Sequence, residues 1–240
     1  MPLGNGVKLT WLGHSTFLLE TPGGKRALID PWITGNPKCP ERLQDPGHLD
    51  LILVSHGHSD HTADVVRLAK EKGAAVLAMV ELAGWFGSQG VEKAVGFNKG
   101  GTHQAEGITV TLTDAHHSSS VEGPGGSIVY TGEPAGMIIT VENGYKIYFA
   151  GDTCVFGDMA LIGELYQPDL AMLPIGDFFT MGPLEAAKAV ELLGVKRVLG
   201  MHYGTFPALH GTPQGLRDEL AKRGVAGVTV EEIAPGETLA

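Results

Sequence analysis

The hexapeptide HGHSDH at residues 56–61 constrains the fold and chemistry of this chain more than any other feature. It follows an apolar run, LILV at residues 51–54, and precedes a stretch with helical spacing. Residues two apart on an extended segment project to the same side, so His56 and His58 can reach one metal ion. Asp60 and His61 then lie at the turn into the helix and can serve a second ion. Imidazole and carboxylate suit zinc, and also manganese or iron, so the motif predicts a dinuclear metal site; a loop of solvated histidines is the alternative.

Three further apolar, strand-like runs end in residues of metal-binding type. These residues are Asp114, His116, His117, Asp152 and His202. The C-terminal ends of separate strands come together when the strands share a sheet edge, so we expect these side chains to cluster with the hexapeptide. Each of them alone is more typical of a surface histidine or a turn aspartate than of a ligand, and it is their coincidence at strand ends that favours a site.

These segments resemble the metallo-β-lactamase superfamily, whose first motif is H-x-H-x-D-H. Further segments resemble one branch of it, the metal-dependent hydrolases related to L-ascorbate 6-phosphate lactonase: GHS at 13–15, TDAHHS at 113–118, AGDT at 150–153, PIGD at 174–177 and HYGTF at 202–206. The match extends from about Val7 to the last predicted strand. The resemblance implies an α/β fold (α+β in some schemes) built as a four-layer αββα sandwich, with residues 1–240 forming a single hydrolase domain.

The resemblance also implies a ligand set for each ion. The implied ligands are His56, His58 and one histidine of the pair 116–117 for the first ion, and Asp60, His61 and His202 for the second. Asp152 would bridge the ions, because a carboxylate can bind one metal with each oxygen. The branch has a small residue after its ligand histidine. Since Ser118 is small, His117 is the predicted ligand, and His116 is expected to line the pocket or to pack.

The chemistry that such a pair of ions supports is metal-assisted hydrolysis. Two ions about 3.5–4 Å apart activate water as a nucleophile and polarise a carbonyl or phosphoryl oxygen. Asp60 is predicted to be catalytic as well, by orienting the nucleophile or accepting its proton. No Ser-His-Asp arrangement or nucleophile elbow is visible in the sequence, so nothing supports a covalent route.

Several residues outside the ligand set are candidates for supporting roles. His14 is a candidate catalytic residue that is predicted to contact the substrate or a carboxylate, with a turn histidine bonded to backbone as the alternative. Asp30 is a candidate to orient a metal-bound imidazole. Asp177 is predicted to act in catalysis, with a carboxylate at a helix N-terminus as the alternative. Candidates for an apolar pocket wall are Phe178, Phe179 and Met181, of which at least two are expected to pack in the core.

Composition limits the partners and the compartment. The chain has 240 residues and 43% hydrophobic content, enough for one large core. A formal charge of −10 without any run of Lys or Arg argues against nucleic acid. The two cysteines show no disulfide pattern, and the N-terminus lacks the character of a signal peptide. No apolar run approaches the roughly 20 residues of a membrane span. These features favour a cytoplasmic protein without a membrane partner.

Three functions remain open at the level of sequence. The favoured one is hydrolysis of a small ester, lactone or phosphorylated metabolite by two divalent ions, with zinc expected and manganese or iron as alternatives. The second is a phosphodiesterase or nuclease that uses the same site. The third is a non-hydrolytic metal or redox protein, although the flavodiiron members that set this precedent have an acidic ligand where this chain has His58. The substrate, the native metal and assembly into a homo-oligomer are not decided by the sequence.

Overall fold

The structure is a computed structural model that describes residues 3–240, so Met1 and Pro2 of the N-terminal stretch lie outside the described residues. The strands are β1 (Lys8–Gly13), β2 (Thr16–Glu20), β3 (Arg26–Ile29), β4 (Leu51–Leu53), β5 (Ala75–Met79), β6 (Ala94–Phe97), β7 (Thr102–Ala105), β8 (Ile108–Asp114), β9 (Ser120–Glu122), β10 (Ile128–Tyr130), β11 (Ala135–Thr140), β12 (Lys146–Phe149), β13 (Leu170–Pro174), β14 (Arg197–Met201), β15 (Thr229–Glu231) and β16 (Thr238–Leu239). The helices are α1 (Ser59–Thr62), α2 (Val65–Lys72), α3 (Val80–Ser88), α4 (Met159–Tyr166), α5 (Pro183–Leu193) and α6 (Pro213–Lys222). Short 3₁₀ turns cover Gly4–Gly6, Glu41–Leu43 and Pro124–Gly126.

Two seven-stranded mixed sheets form the centre of the fold. The first has the strand order β16-β1-β2-β3-β4-β5-β6, and the second β15-β14-β13-β12-β11-β8-β7. In each sheet the strands from one half pair antiparallel and those from the other half pair parallel. The strands β9 and β10 form a separate antiparallel hairpin, as expected from the glycine-rich segment at 122–126.

Alternating burial along the strands shows how the layers stack. In β12, Ile147 and Phe149 pack in the core between the sheets, whereas Tyr148 packs on the opposite face against α4 and α5. On the outer face of the first sheet, Val65 of α2 and Phe86 of α3 are buried. The order helix, sheet, sheet, helix confirms the predicted αββα sandwich.

The helix predicted after the hexapeptide is broken in the structure. The sequence predicts one helix from Thr62 to Lys72, but α1 ends at Thr62 and α2 begins at Val65. The backbone N–H of Asp64 donates to the carbonyl of Pro31 at 3.0 Å, and its carboxylate accepts from the N–H groups of Ile33 and Thr34. Bonds to a distant loop therefore replace the continuing helix at this position.

The helix predicted over residues 183–193 is found with the same bounds. Pro183 occupies its first turn, where a missing N–H is tolerated, and Gly194 ends it in the left-handed conformation. Within the described part of the chain, none of the helices has the length and apolar character needed to cross a membrane.

Close packing of α4 against α5 generates a test of the fold remote from the ligand cluster. A Cβ added to Gly163 would clash with the carbonyl oxygen of Leu193, so we expect Gly163→Ala to lower the free energy of unfolding by about 1–3 kcal/mol. The matched control is Gly84→Ala in α3, where nothing lies within 4 Å and alanine should stabilise by about 0.5–1 kcal/mol. Urea denaturation measures both, and equal stability of the two variants would contradict the packing described.

Candidate metal centre

The residues that the sequence predicts as ligands come from four strand ends at one end of the sandwich. The hexapeptide follows β4 of the first sheet, whereas His117, Asp152 and His202 follow β8, β12 and β14 of the second. The expectation of a single shared sheet edge is therefore corrected. The cluster forms at the C-terminal ends of strands that belong to two different sheets.

A close backbone approach joins the two sheets at this point. The N–H of Ala135, at the start of β11, donates to the carbonyl of Ser55 at 3.0 Å. A Cβ on Gly151 would lie 2.8 Å from the Cβ of Ser55, and the φ of this glycine is +62°. Only glycine meets both requirements without strain, so Gly151 is what allows Asp152 to lie beside the hexapeptide.

One group of three imidazoles consists of His56, His58 and His117. One nitrogen from each lies within 4.8 Å of the others, and Nε2 of His56 is 3.0 Å from Nδ1 of His58. Burial lowers the pKa of all three, and that of His56 furthest, so they are neutral at pH 7. Neutral imidazole is the form that binds a metal.

A second group consists of Asp60, His61 and His202, with His14 beside them. Oδ2 of Asp60 lies 3.8 Å from Nε2 of His61 and 3.8 Å from Nε2 of His202. Burial alone would raise the pKa of Asp60, but His61, His14 and His202 outweigh it and lower that pKa. Asp60 is therefore ionised at pH 7.

Asp152 lies between the two groups. Its Oδ2 atom is 3.1 Å from Nε2 of His202 and 3.3 Å from Nε2 of His61. The same oxygen is 3.8 Å from Nε2 of His56 and 3.7 Å from Nε2 of His117. One carboxylate oxygen thus faces both groups, whereas the resemblance implied one oxygen for each ion.

The donor set fits divalent cations. Four buried atoms of the second group and Asp152 have no hydrogen-bond partner among the described residues: Nε2 of His61, Nδ1 and Nε2 of His202 and Oδ1 of Asp152. Buried polar atoms without a partner are costly. Burial would lower the pKa of His61 and His202, but nearby carboxylates, chiefly Asp152, have the larger effect. They raise the pKa of His202 to about 9 and the pKa of His61 well above its usual value. The pocket therefore favours positive charge. A cation would satisfy Nε2 of His61 and Nε2 of His202 beside Asp152, whereas Nδ1 of His202 points to the other side of its ring and cannot reach the same ion.

A buried carboxylate and a hydroxyl orient one imidazole in each group. Asp30 accepts from Nδ1 of His61 at 2.7 Å and from the Ser55 hydroxyl at 2.6 Å. The oxygen of Ser55 in turn lies 2.9 Å from Nδ1 of His56. Both imidazoles thus carry hydrogen on Nδ1 and direct Nε2 into the cluster. The contact of Asp30 was anticipated from the sequence, whereas Ser55 was missed, because a serine after a strand carries no distinctive signal.

His14 contacts a carboxylate rather than backbone through its ring. Nε2 lies 3.0 Å from Oδ2 of Asp60, and Nδ1 lies 2.9 Å from the hydroxyl of Thr205. Burial lowers the pKa of His14 to about 4, so the ring is neutral at pH 7. Because an ionised carboxylate only accepts, Nε2 carries the hydrogen and Nδ1 accepts from Thr205.

Three residues around the cluster have left-handed backbone conformations although they are not glycine. The φ angles are +57° for His14, +45° for Asp30 and +57° for His202. Such conformations cost free energy and persist where surrounding contacts fix them. For His202, one such contact is the bond from its N–H to the carbonyl of His14 at 3.1 Å.

Two predicted residues lie outside the cluster. His116 bonds to Asp114 at 3.1 Å and stacks on Phe156 at 4.5 Å between ring centroids, so the structure brings only His117 of the pair to the other imidazoles. The half-exposed carboxylate of Asp177 lies 3.5 Å from Nε2 of His210. The catalytic role predicted for Asp177 therefore has no contact with the cluster to support it among the described residues.

A cleft of about 770 Å³ opens above His58, Asp60 and His117. Its larger apolar side chains are Trp32, Val121, Ile128, Phe179 and Phe206. The expectation that at least two of the three candidate wall residues pack in the core is wrong. Met181 is buried, but Phe179 lines the cleft, and Phe178 is 70% exposed.

Comparison with known proteins gives consistent similarities. Residues 25–203 match the family described as the beta-lactamase superfamily domain. A UPF0173 metal-dependent hydrolase of Rubrobacter xylanophilus is 51% identical over 234 residues, covering 98% of this chain and 96% of that protein. The solved structure of Igni18, described as a novel metallo hydrolase from Ignicoccus hospitalis, has a TM-score of 0.84 and 36% identity, covering 97% of both chains. An isothiocyanate hydrolase from Delia radicum gut bacteria, with a TM-score of 0.72 and 22% identity over 97% of this chain and 98% of that one, shows the fold alone.

The adjacent histidines at 116 and 117 provide a matched test of the cluster. We expect His117→Ala to weaken zinc binding by more than roughly 100-fold, because one of three imidazoles is removed. Loss of a residue that only supports a ligand typically weakens metal binding by roughly 10- to 100-fold. His116→Ala should bind zinc as the unaltered protein does. Zinc titration against a competing chelator measures both affinities, and a loss confined to His116→Ala would overturn the assignment.

Proposed function

The chain is a metal-dependent hydrolase that belongs to the metallo-β-lactamase superfamily and to its UPF0173 members, and from this premise we propose that it hydrolyses a small ester, lactone or phosphorylated metabolite with two divalent ions. The observation that carries the proposal is the position of Asp152, whose Oδ2 atom faces both groups of imidazoles at 3.1–3.8 Å. A site for one ion does not require a carboxylate so placed. The proposed metal is zinc, with manganese or iron as alternatives.

The ligand assignment that we propose follows the two groups. The first ion would be held by His56, His58 and His117, the second by Asp60, His61 and His202, and Asp152 would contact both. When bound, such a pair of ions supplies an activated water as nucleophile and polarises the carbonyl or phosphoryl oxygen of the group under attack. The chain itself contributes the fixed orientation of these side chains, which lowers the cost of reaching the reactive geometry.

Asp60 is proposed to act on the attacking water as well as to bind metal. Its carboxylate is part of the floor of the cleft, and its Oδ2 atom is held by His14 at 3.0 Å. An ionised carboxylate in this position can orient a water molecule and accept its proton. His14, fixed from its other side by Thr205, holds the carboxylate in place. His14 is therefore proposed as a positioning residue.

The partners and the compartment are proposed on more general grounds. The cleft is of a size typical of small-molecule sites. Cys39 and Cys154 are both free, which agrees with a reducing compartment, and we propose the cytoplasm. The charge of −10 disfavours nucleic acid as a substrate.

Metal content tests the proposed stoichiometry. Protein stripped with a chelator and titrated with zinc should bind close to two ions per chain, because the six ligands and Asp152 form two complete sets. Esterase or lactonase activity should vanish with the chelator and return with zinc or manganese. Saturation at one ion per chain, unchanged in Asp60→Ala and His202→Ala, would refute the dinuclear proposal, and turnover that resists chelation would refute the metal mechanism.

A pair of isosteric substitutions tests the proposed role of Asp60. Asp60→Asn should depress kcat by about 10²- to 10⁴-fold, because an amide cannot accept the proton, while KM changes little. Asp177→Asn, outside the cluster, should have a much smaller effect. Kinetics with metal content measured on the same samples separate catalysis from metal loss. A large fall in kcat for Asp177→Asn alone would restore the role predicted for that residue from the sequence.

A further inference from the structure

The charge of the cleft lining restricts what it can recognise. The lining contains two acidic side chains, Asp60 and Glu122. No lysine or arginine among the described residues, 3–240, contributes to the lining. A phosphate group is held in proteins by guanidinium or ammonium groups, or by backbone N–H groups. The hydroxyls of Ser118 and Ser120 can bond a neutral oxygen, but they do not balance a negative charge. Any anionic group lying away from the metal centre would therefore find no cationic side chain among these lining residues.

The walls of the cleft offer apolar surface in the same place. The rings of Trp32 and Phe206 stack with centroids 5.8 Å apart and planes at 24°, and together they form one continuous wall. Ile128 of the hairpin is 85% exposed, and Phe179 is 54% exposed. Apolar surface left open around a recessed polar centre is typical of a ligand-binding site, because a bound apolar group removes that surface from water.

We infer that the substrate is an uncharged ester or lactone with an apolar substituent that packs on this wall, and that a phosphate away from the cleaved bond is selected against. The inference rests on the proposed function and narrows it. In the reaction, water adds to the acyl carbon, the bond from that carbon to the ester oxygen breaks, and the departing oxygen takes a proton. The products are a carboxylic acid and an alcohol, which remain one molecule when the substrate is a lactone.

Three γ-butyrolactones that differ only in the substituent at the γ-carbon test the inference. The substituents are phenyl, methyl and phosphoryloxymethyl, and each is also assayed as the ethyl ester of the matching open-chain hydroxy acid. With the zinc-loaded protein we expect kcat/KM for the phenyl compound to exceed that for the methyl compound by about 10- to 100-fold, from burial of the ring. The phosphate-bearing compound should be hydrolysed more slowly than the methyl compound.

A lysine placed in the wall tests the same idea from the protein. Ile128→Lys should lower kcat/KM for the phenyl compound by about tenfold and raise it for the phosphate-bearing compound by about two- to fivefold. The matched control is Leu165→Lys on α4, which is 68% exposed and lies outside the cleft lining. This control adds the same charge to the molecule and should change neither value.

The outcomes separate this inference from the proposed function. Hydrolysis of the methyl compound with equal or better hydrolysis of the phosphate-bearing one would overturn the inference and leave the proposed function standing. Equal effects of the two lysine substitutions would also overturn it, because net charge rather than the wall would then set the preference. Turnover of none of the six compounds by the zinc-loaded protein would contradict the proposed function and the inference together.

Discussion

The geometry of the metal centre depends on the hydrogen bonds that the buried carboxylate of Asp30 accepts. This carboxylate accepts from the backbone N–H and the hydroxyl of Ser55 at 2.7 and 2.6 Å, and from Nδ1 of His61 at 2.7 Å. A carboxylate is costly to bury unless such bonds satisfy it, so the bonds also hold the loop after β4 in place. Through Ser55 the same carboxylate reaches His56. One acidic residue outside both ligand groups therefore sets the ring orientation in each of them.

The division of the cleft into a polar base and largely apolar walls separates two tasks. The groups at the base, Asp60 among them, face the bond that would react. The walls include Trp32, Phe206 and the hairpin residue Ile128, which would contact parts of a ligand that do not react. Binding energy from such remote contacts can position the reacting bond without altering its chemistry. A change of substrate preference among related proteins then requires new wall residues and leaves the base as it is.

The parts of the structure that could be predicted from the sequence are those governed by local spacing. The hexapeptide, the strand ends and the bounds of α5 follow from patterns within a few neighbouring residues. The choice of His117 over His116 as ligand rests on the small neighbour Ser118 together with the family resemblance. The parts that could not be predicted depend on contacts between distant segments. The break at Asp64 exists because its backbone bonds to Pro31, and a hydroxyl such as that of Thr205 acquires its partner only when β14 and the turn at His14 come together.

The left-handed backbone conformations at His14, Asp30 and His202 oppose stability to function in this protein. Each costs about 1–3 kcal/mol for a residue other than glycine, a large amount against the net stability of a domain. Glycine at these positions would relieve the cost but would remove the imidazoles and the carboxylate that the centre uses. Selection for thermal robustness and selection for turnover therefore oppose each other at these three positions, and a more robust relative must gain its stability elsewhere in the sandwich.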